Sequence, residues 1–359
     1  MKLPQLRLPR SNLARFAVSL LFMALVVFLL IWRGPSLTAI GDAFTTVEWH
    51  WVALAIGINL ASVVFRALAW RMVIRQALPP PAPSPVLVFS AFSVGLFANA
   101  VLPGRIGELA RVAVLNRKLP RRRGTWATLV GTVFAHRVFD LVPVLLLILY
   151  VVVTAKIPAW AITSLLVVVG VGVGLFTFAF ASARRPNTSA LDGIGAARRI
   201  VTMARQGLGV MRSPIGATVA ILLQIAGWLC QLLAVYTAMR AFHIHAPMPA
   251  AGLVLLLMNV ATIFPLWPGN VGLVQVAIAT PLKASYGIAY AHGVAFGFGL
   301  QAIEASVGIG VGLLFLAREG LSFAMLRVMP SAAQAELGER ENGEEREKRA
   351  EPERARVSG

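Results

Sequence analysis

Three charged residues stand three positions apart in an otherwise apolar segment: Arg105, Glu108 and Arg111. Residues with this spacing share one face of a helix, and a charge inside a bilayer must pair or face a polar cavity. The two guanidinium groups match the geometry of a phosphate. The segment is therefore predicted to bind a charged lipid headgroup; the alternative is an ion triad that only fastens the local fold.

A second charged cluster, His136, Arg137 and Asp140, interrupts the apolar run 124–154. The spacings of three and four positions place these residues on one helical face. If the helix begins near Gly124, Arg137 lies about 20 Å along it, close to the bilayer centre. We expect an anion site or a proton-responsive pair; the alternative is an internal lock between helices.

A third acidic residue, Glu304, lies deep in the last apolar run with no basic residue within four positions. It needs a partner from another helix, water or a proton, and Gln224, Gln275 and Gln301 are candidate neighbours. Together these residues form the predicted headgroup-binding set: Arg105, Glu108, Arg111, His136, Arg137, Asp140 and Glu304.

No pattern in the chain indicates catalysis, a metal or a cofactor, and none is expected. We find no nucleophile–base order, phosphate-binding loop or dinucleotide fingerprint in a suitable context. The single cysteine, Cys230, excludes an internal disulfide. Three histidines on the predicted outer side have no carboxylate partner that the sequence identifies: His243, His245 and His292.

The composition indicates a membrane protein. Of 359 residues, 58% are hydrophobic and 13% charged, against about 25% charged in soluble domains. The net charge of +18 could suggest nucleic acid, but the basic residues punctuate apolar runs and form no basic domain. Nucleic acid is therefore not an expected partner.

Eight hydrophobic segments follow one another along the chain, and two of them, 86–115 and 248–285, are broken in the middle. Each broken segment has arms of about 12–17 residues, whereas a simple crossing needs about 20. The breaks share a Pro-Gly-x-x-Gly pattern, formed by Pro103, Gly104, Gly107, Pro268, Gly269 and Gly272. Asn99, Asn259 and Asn270 are expected to satisfy loose backbone groups nearby.

The basic residues predict the topology. Arg71 and Arg75 precede the first broken segment and the cluster 117–123 follows it, so both flanks favour the cytoplasm. The flanks of the second broken segment are poor in Lys and Arg. We therefore predict an all-α polytopic protein of the cell membrane, with six transmembrane helices, two re-entrant hairpins and both termini cytoplasmic.

The two breaks, 165 residues apart, suggest an inverted repeat. Arg66 and Gln231 each lie 37 residues before a break, and Asp140 and Glu304 lie 37 and 36 after one. Such repeats with broken helices are typical of transporters, although short Pro-Gly patterns also match by chance. The predicted organisation is a basic N-terminus at 1–15, a membrane domain at 16–328 with repeat halves 49–154 and 215–318, and a charged, disordered cytoplasmic tail at 329–359.

Three stretches resemble the lysylphosphatidylglycerol synthase transmembrane region, a flippase-like membrane family: Leu102 to Arg111, His136 to Asp140, and Pro268 to Gly272. The resemblance extends over about 15–320 and implies an inner-membrane lipid translocase or a relative of one. Family members are linked to aminoacylated phospholipids, hopanoids and lipid-linked glycans. Gln275 stands where the family often has Glu, and the 29 residues after 330 cannot hold the aminoacyl-transferase domain of bifunctional members.

These features favour a non-enzymatic lipid translocase that moves an anionic or aminoacylated phospholipid, or a lipid-linked glycan. The alternative is a non-catalytic accessory or scaffold protein for cell-envelope lipid or glycan synthesis. The expected partners of the protein are a membrane phospholipid or lipid-linked substrate, an envelope-biosynthesis enzyme and a second copy of the chain. An intramembrane enzyme is the weakest reading, because no nucleophile–base pair is visible.

Overall fold

The structure, a computed structural model, describes residues 36–101, 106–120, 125–158, 213–263 and 268–318, with isolated positions between 160 and 177. The regular elements in these ranges are all helices, which confirms the all-α class. In chain order they are α1 (Leu37–Thr45), α2 (Trp49–Ala77), α3 (Pro85–Val101), α4 (Gly107–Lys118), α5 (Thr125–Thr154), α6 (Pro214–Ala241), α7 (Met248–Ala261), α8 (Leu273–Tyr286) and α9 (Tyr290–Arg318).

Four described helices are long and apolar enough to cross a bilayer: α2, α5, α6 and α9. Helices α2 and α9 have 29 residues each, which at 1.5 Å per residue exceeds a hydrocarbon core of about 30 Å. These helices confirm a multi-pass membrane protein. The predicted segments that fall wholly or mostly outside the described residues are 1–15, 16–32, 160–182 and 329–359.

The two broken segments each form a pair of short helices in contact. Helices α3 and α4 have 17 and 12 residues, and α7 and α8 have 14 each. Helix α4 returns antiparallel to α3, because Gly107 lies beside Asn99 whereas Arg111, one turn later, lies beside Gly95. The first break itself, with Pro103, Gly104 and Arg105, lies outside the described residues.

Asparagines satisfy the backbone at both breaks, as the sequence predicts. The Gly107 N–H donates to Asn99 Oδ1 at 2.8 Å, and Asn270 Nδ2 donates to the Ala261 carbonyl at 2.7 Å. The described part of the second break contains a 3-10 turn, Pro268–Asn270, in which Gly269 has φ 71°. Glycine adopts this left-handed conformation without a Cβ penalty, so this position of the turn favours glycine.

The packing of α2–α5 is repeated in α6–α9. Helices α2 and α6 lie against each other along their length at the centre. Helix α3 packs on α9 as α7 packs on α5, and α2 contacts α5 as α6 contacts α9. One set of four helices therefore has the same neighbours as the other.

Close packing of the first hairpin generates a stability prediction. A Cβ on Gly95 would lie 2.8 Å from the Gly107 carbonyl oxygen and 3.1 Å from Arg111 Cβ. We expect Gly95→Ala to separate α3 from α4 and to cost about 1–3 kcal/mol, lowering the thermal unfolding midpoint in detergent. Gly57→Ala on α2 is the matched control, because nothing lies within 4 Å of its Cβ; equal midpoints for the two variants would contradict the close approach.

Candidate functional site

The structure brings five predicted site residues together where α4 meets α5: Glu108, Arg111, His136, Arg137 and Asp140. Arg105 lies outside the described residues. Glu304 is contributed by α9 and lies within electrostatic reach of Arg66 on α2. The site thus combines residues from both sets of four helices.

Glu108 joins α4 to α5. It lies in the first turn of α4, where a carboxylate interacts favourably with the helix dipole. Its carboxylate forms ion pairs with Arg111, three positions later, and with Arg137 across the helix interface. The spacing predicts the first pair; the second joins residues 29 positions apart and is a finding of the structure.

Asp140 forms the second centre of negative charge. Arg137 Nη1 lies 3.3 Å from Asp140 Oδ2, and Arg66 Nη2 lies 3.7 Å from the same oxygen. Trp228 Nε1 on α6 donates a hydrogen bond to Oδ1 at 3.1 Å. Asp140 therefore fastens α5 to both central helices, α2 and α6.

Arg66 and Trp228 belong to the site, although the spacing of charged residues in the sequence does not place them there. A Cβ on Gly227 would lie 2.8 Å from Arg66 Cγ, so this glycine of α6 leaves the space through which the arginine stem reaches Asp140. The signal for Arg66 was present, because a cation in a membrane helix needs a counter-charge. Nothing in the sequence singled out Trp228.

Arg111 is buried between two aromatic rings. Its guanidinium carbon lies 4.6 Å from the centre of the Trp70 ring and 5.2 Å from that of Phe92. These cation–π contacts compensate part of the lost hydration. Arg111 Nε makes no hydrogen bond within the described residues, so this buried cation retains an unused donor.

His136 contacts Gln224, and the described part of the chain shows no ion pair between His136 and Asp140. Gln224 Nε2 lies 3.3 Å from His136 Nε2, and the ring stands edge-on to Phe92 at 6.0 Å. His136 and Asp140 are both buried, but the helix points them toward different neighbours. The anion site, the proton-responsive pair and the internal lock therefore all stay predictions for this cluster.

The polar neighbours suggested for Glu304 serve other residues. Gln275 Nε2 donates to Gln301 Oε1 at 2.8 Å, and Gln275 Oε1 accepts from the Gly272 N–H at 2.6 Å. Gln301 in turn donates to the Gly269 carbonyl. The two glutamines thus fasten the second Pro-Gly break, which gives Gln275 a structural role.

One of the three histidines predicted to lie on the outer side has a carboxylate neighbour that the sequence does not identify. The Glu48 carboxylate lies 3.4 Å from His243 Nδ1, and 3.4 Å from Nε2 of His50, a histidine outside that predicted set. His292 instead contacts the Phe242 carbonyl. Within the described part of the chain, no group of three or more His, Cys, Asp or Glu could hold a metal ion.

The charges of the site do not cancel on the four helices α2 to α5. Arg66, Arg111 and Arg137 contribute three positive charges and Glu108 and Asp140 two negative ones, and the third carboxylate near these arginines, Glu304, comes from α9. A cavity of about 30 Å³ lies among these residues, lined also by Asn99 and Gly107. That volume holds one or two waters, so a headgroup requires side chains to move.

Comparisons with known proteins match this chain to a membrane family. The model for the lysylphosphatidylglycerol synthase TM region matches residues 12–312. A UPF0104 membrane protein of Methanothermobacter thermautotrophicus is 26% identical over 292 residues, which cover 75% of this chain and 83% of that protein. No solved structure matches.

The Arg66–Asp140 pair generates a prediction about stability. Asp140→Asn keeps an acceptor for Trp228 but leaves Arg66 and Arg137 with less counter-charge, so the unfolding midpoint in detergent should fall. Adding Arg66→Gln should restore part of it, with a coupling of about 0.5–3 kcal/mol. Asp42→Asn, on an exposed residue of α1, is the control; strictly additive effects of the two site substitutions would show that the pair is not coupled.

Proposed function

Because the chain belongs to the family of the lysylphosphatidylglycerol synthase transmembrane region, we propose that it is a lipid translocase of the cytoplasmic membrane. Its substrate is an anionic or aminoacylated phospholipid or a lipid-linked glycan, whose phosphate binds the arginine cluster. The activity moves the lipid without covalent chemistry. The family and the helices support a membrane role; the arginine cluster supports the choice of substrate.

The observation that carries the proposal is the position of Arg137. It lies 12 residues into α5, about 18 Å from the start of an apolar helix, and 49% of its side chain is exposed. Glu108 and Asp140 pair with this guanidinium, yet half of the side chain stays exposed, and an exposed cation at this depth is costly unless an anion or a polar cavity meets it. A lipid phosphate supplies that anion and matches guanidinium geometry.

The proposed architecture places the two short-helix pairs as re-entrant hairpins that enter from opposite membrane faces. Six crossings then surround them, and both termini are cytoplasmic. The repeated helix packing and the lengths of α3, α4, α7 and α8 support this arrangement. Inverted repeats whose broken helices meet near the midplane provide alternating access in transporters.

In the proposed mechanism the lipid phosphate replaces Glu108 as an ion-pair partner of Arg137. Glu108 stays paired with Arg111, and Arg137 stays paired with Asp140, so each charged group keeps a partner of opposite charge. Glu304 on α9 faces Arg66, so movement of α9 changes the balance of charge and favours release. The acyl chains stay in the bilayer throughout.

The accessory or scaffold function is the second candidate. It is favoured by the mutual pairing of Glu108, Asp140 and their arginines, which is also what a purely structural lock would show. On this alternative an envelope-biosynthesis enzyme or a second copy of the chain is the partner, and the charged tail 329–359 contacts it.

Reconstitution tests the translocase. In vesicles containing fluorescent phosphatidylglycerol, the wild-type protein should expose inner-leaflet probe to dithionite, and Arg137→Gln should slow this tenfold or more, about 1.4 kcal/mol in the barrier. Arg240→Gln is the control, because Arg240 lies at the end of α6 and its guanidinium bonds Tyr236, away from the charged site. Equal rates for the wild type and Arg137→Gln would contradict the site.

The vesicle assay and a deletion of 331–359 in cells together separate the two functions. If the protein moves no lipid in vesicles and the deletion abolishes its role in cells, it is an accessory protein. A protein that moves lipid equally well with and without that tail is a translocase.

A further inference from the structure

An apolar groove of about 220 Å³ lies between α4 and α5, beside the charged site. Its walls are Leu109, Val112, Val130, Val133 and Phe134. Two further residues close one end of the groove, Glu108 and Arg137, and the same two line the small polar cavity. The ion pair between them therefore separates an apolar compartment from a polar one.

The residues of α5 that line the groove follow a single helical stripe. Val130, Val133, Phe134 and Arg137 are spaced three, four and seven positions from the first, which places them on one face. This stripe is about 10 Å long at 1.5 Å per residue. The groove thus has an extended apolar part that ends at a half-exposed cation.

We propose that this groove holds one acyl chain of an anionic phospholipid whose phosphate binds Arg137. The lipid then enters the site sideways, between α4 and α5, when the phosphate replaces Glu108 as a partner of Arg137. The binding site stands on the geometry alone; its role as the entry route rests on the proposed translocase function.

Charge and polarity select this occupant. An apolar groove with a cation at one end is complementary to a molecule with an anion at the end of a hydrocarbon chain, and the half-exposed guanidinium of Arg137 is that cation. Glu108 can leave Arg137 at low cost because it remains paired with Arg111. A neutral hydrocarbon would fill the groove but offer no anion to Arg137.

Photo-crosslinking locates the acyl chain. The full-length protein is placed in phosphatidylcholine vesicles containing phosphatidylglycerol with a diazirine on one acyl chain, irradiated, digested and mapped by mass spectrometry. We expect the labels to concentrate on the groove residues Leu109 of α4 and Val130, Val133 and Phe134 of α5. The exposed residues Leu145 and Leu149, farther along α5, should carry fewer labels. Labels spread evenly along the outer face of α5 would overturn the proposal.

A groove-filling substitution provides the matched test. Val130→Trp should lower labelling of the remaining groove residues about tenfold, whereas Leu149→Trp, on an exposed position of α5, should leave it unchanged. Val133→Trp serves as the second groove variant, and each is used only if its unfolding midpoint stays near that of the wild type. Undiminished groove labelling in folded groove variants would contradict acyl-chain binding there.

The two proposals fail in different ways. Groove labelling without any lipid transport would refute the translocase and leave the acyl-chain site standing. Transport with labels elsewhere would refute the groove and leave the translocase standing. Groove labelling that is equal with a phosphatidylcholine probe would show a hydrocarbon site that does not select a net anionic headgroup, and would also overturn the inference.

Discussion

The ion pair between Glu108 and Arg137 is the interaction on which the site depends. It joins the returning arm of the first hairpin to a long membrane helix, and each partner holds a second one, Arg111 and Asp140. Charges this deep in an apolar protein must be matched, so the positions of α4 and α5 are coupled to the charge of the site. Through Asp140 the same network reaches both central helices.

Two cations of the site differ in how far they are enclosed, and this difference gives the site a chemical preference. Three arginines face two carboxylates on α2 to α5, and a third carboxylate, Glu304, comes from α9. Arg137 is half-exposed, whereas Arg111 is enclosed by Trp70 and Phe92. One cation is therefore fixed in the core and the other is available, which is the division expected if one holds the fold and the other binds a ligand.

The sequence predicts local features of this arrangement well. Helix periodicity pairs Glu108 with Arg111 and Arg137 with Asp140, because residues three apart share a face whatever surrounds the helix. Apolar length predicts the four long described helices, and the Pro-Gly patterns predict where the shorter helices end.

Contacts between helices were beyond the sequence. The rotation of each helix decides that Arg137 meets Glu108, that Trp228 rather than His136 bonds Asp140, and that Gln275 and Gln301 fasten the second break. Charge alone shows that Arg66 needs a partner, but not that Asp140 is that partner. Gly227 on α6 leaves room for the Arg66 side chain on α2. The sequence does not show this contact, because the two residues are far apart in the chain.

The central claim is that the available arginine in the membrane selects a phosphate-bearing anionic lipid. The most direct measurement is native mass spectrometry of the protein extracted from vesicles with equal amounts of phosphatidylglycerol and phosphatidylcholine. We expect the wild-type protein to retain phosphatidylglycerol preferentially and the Arg137→Gln variant to lose this preference. Equal retention of the two lipids by the wild-type protein would contradict this expectation.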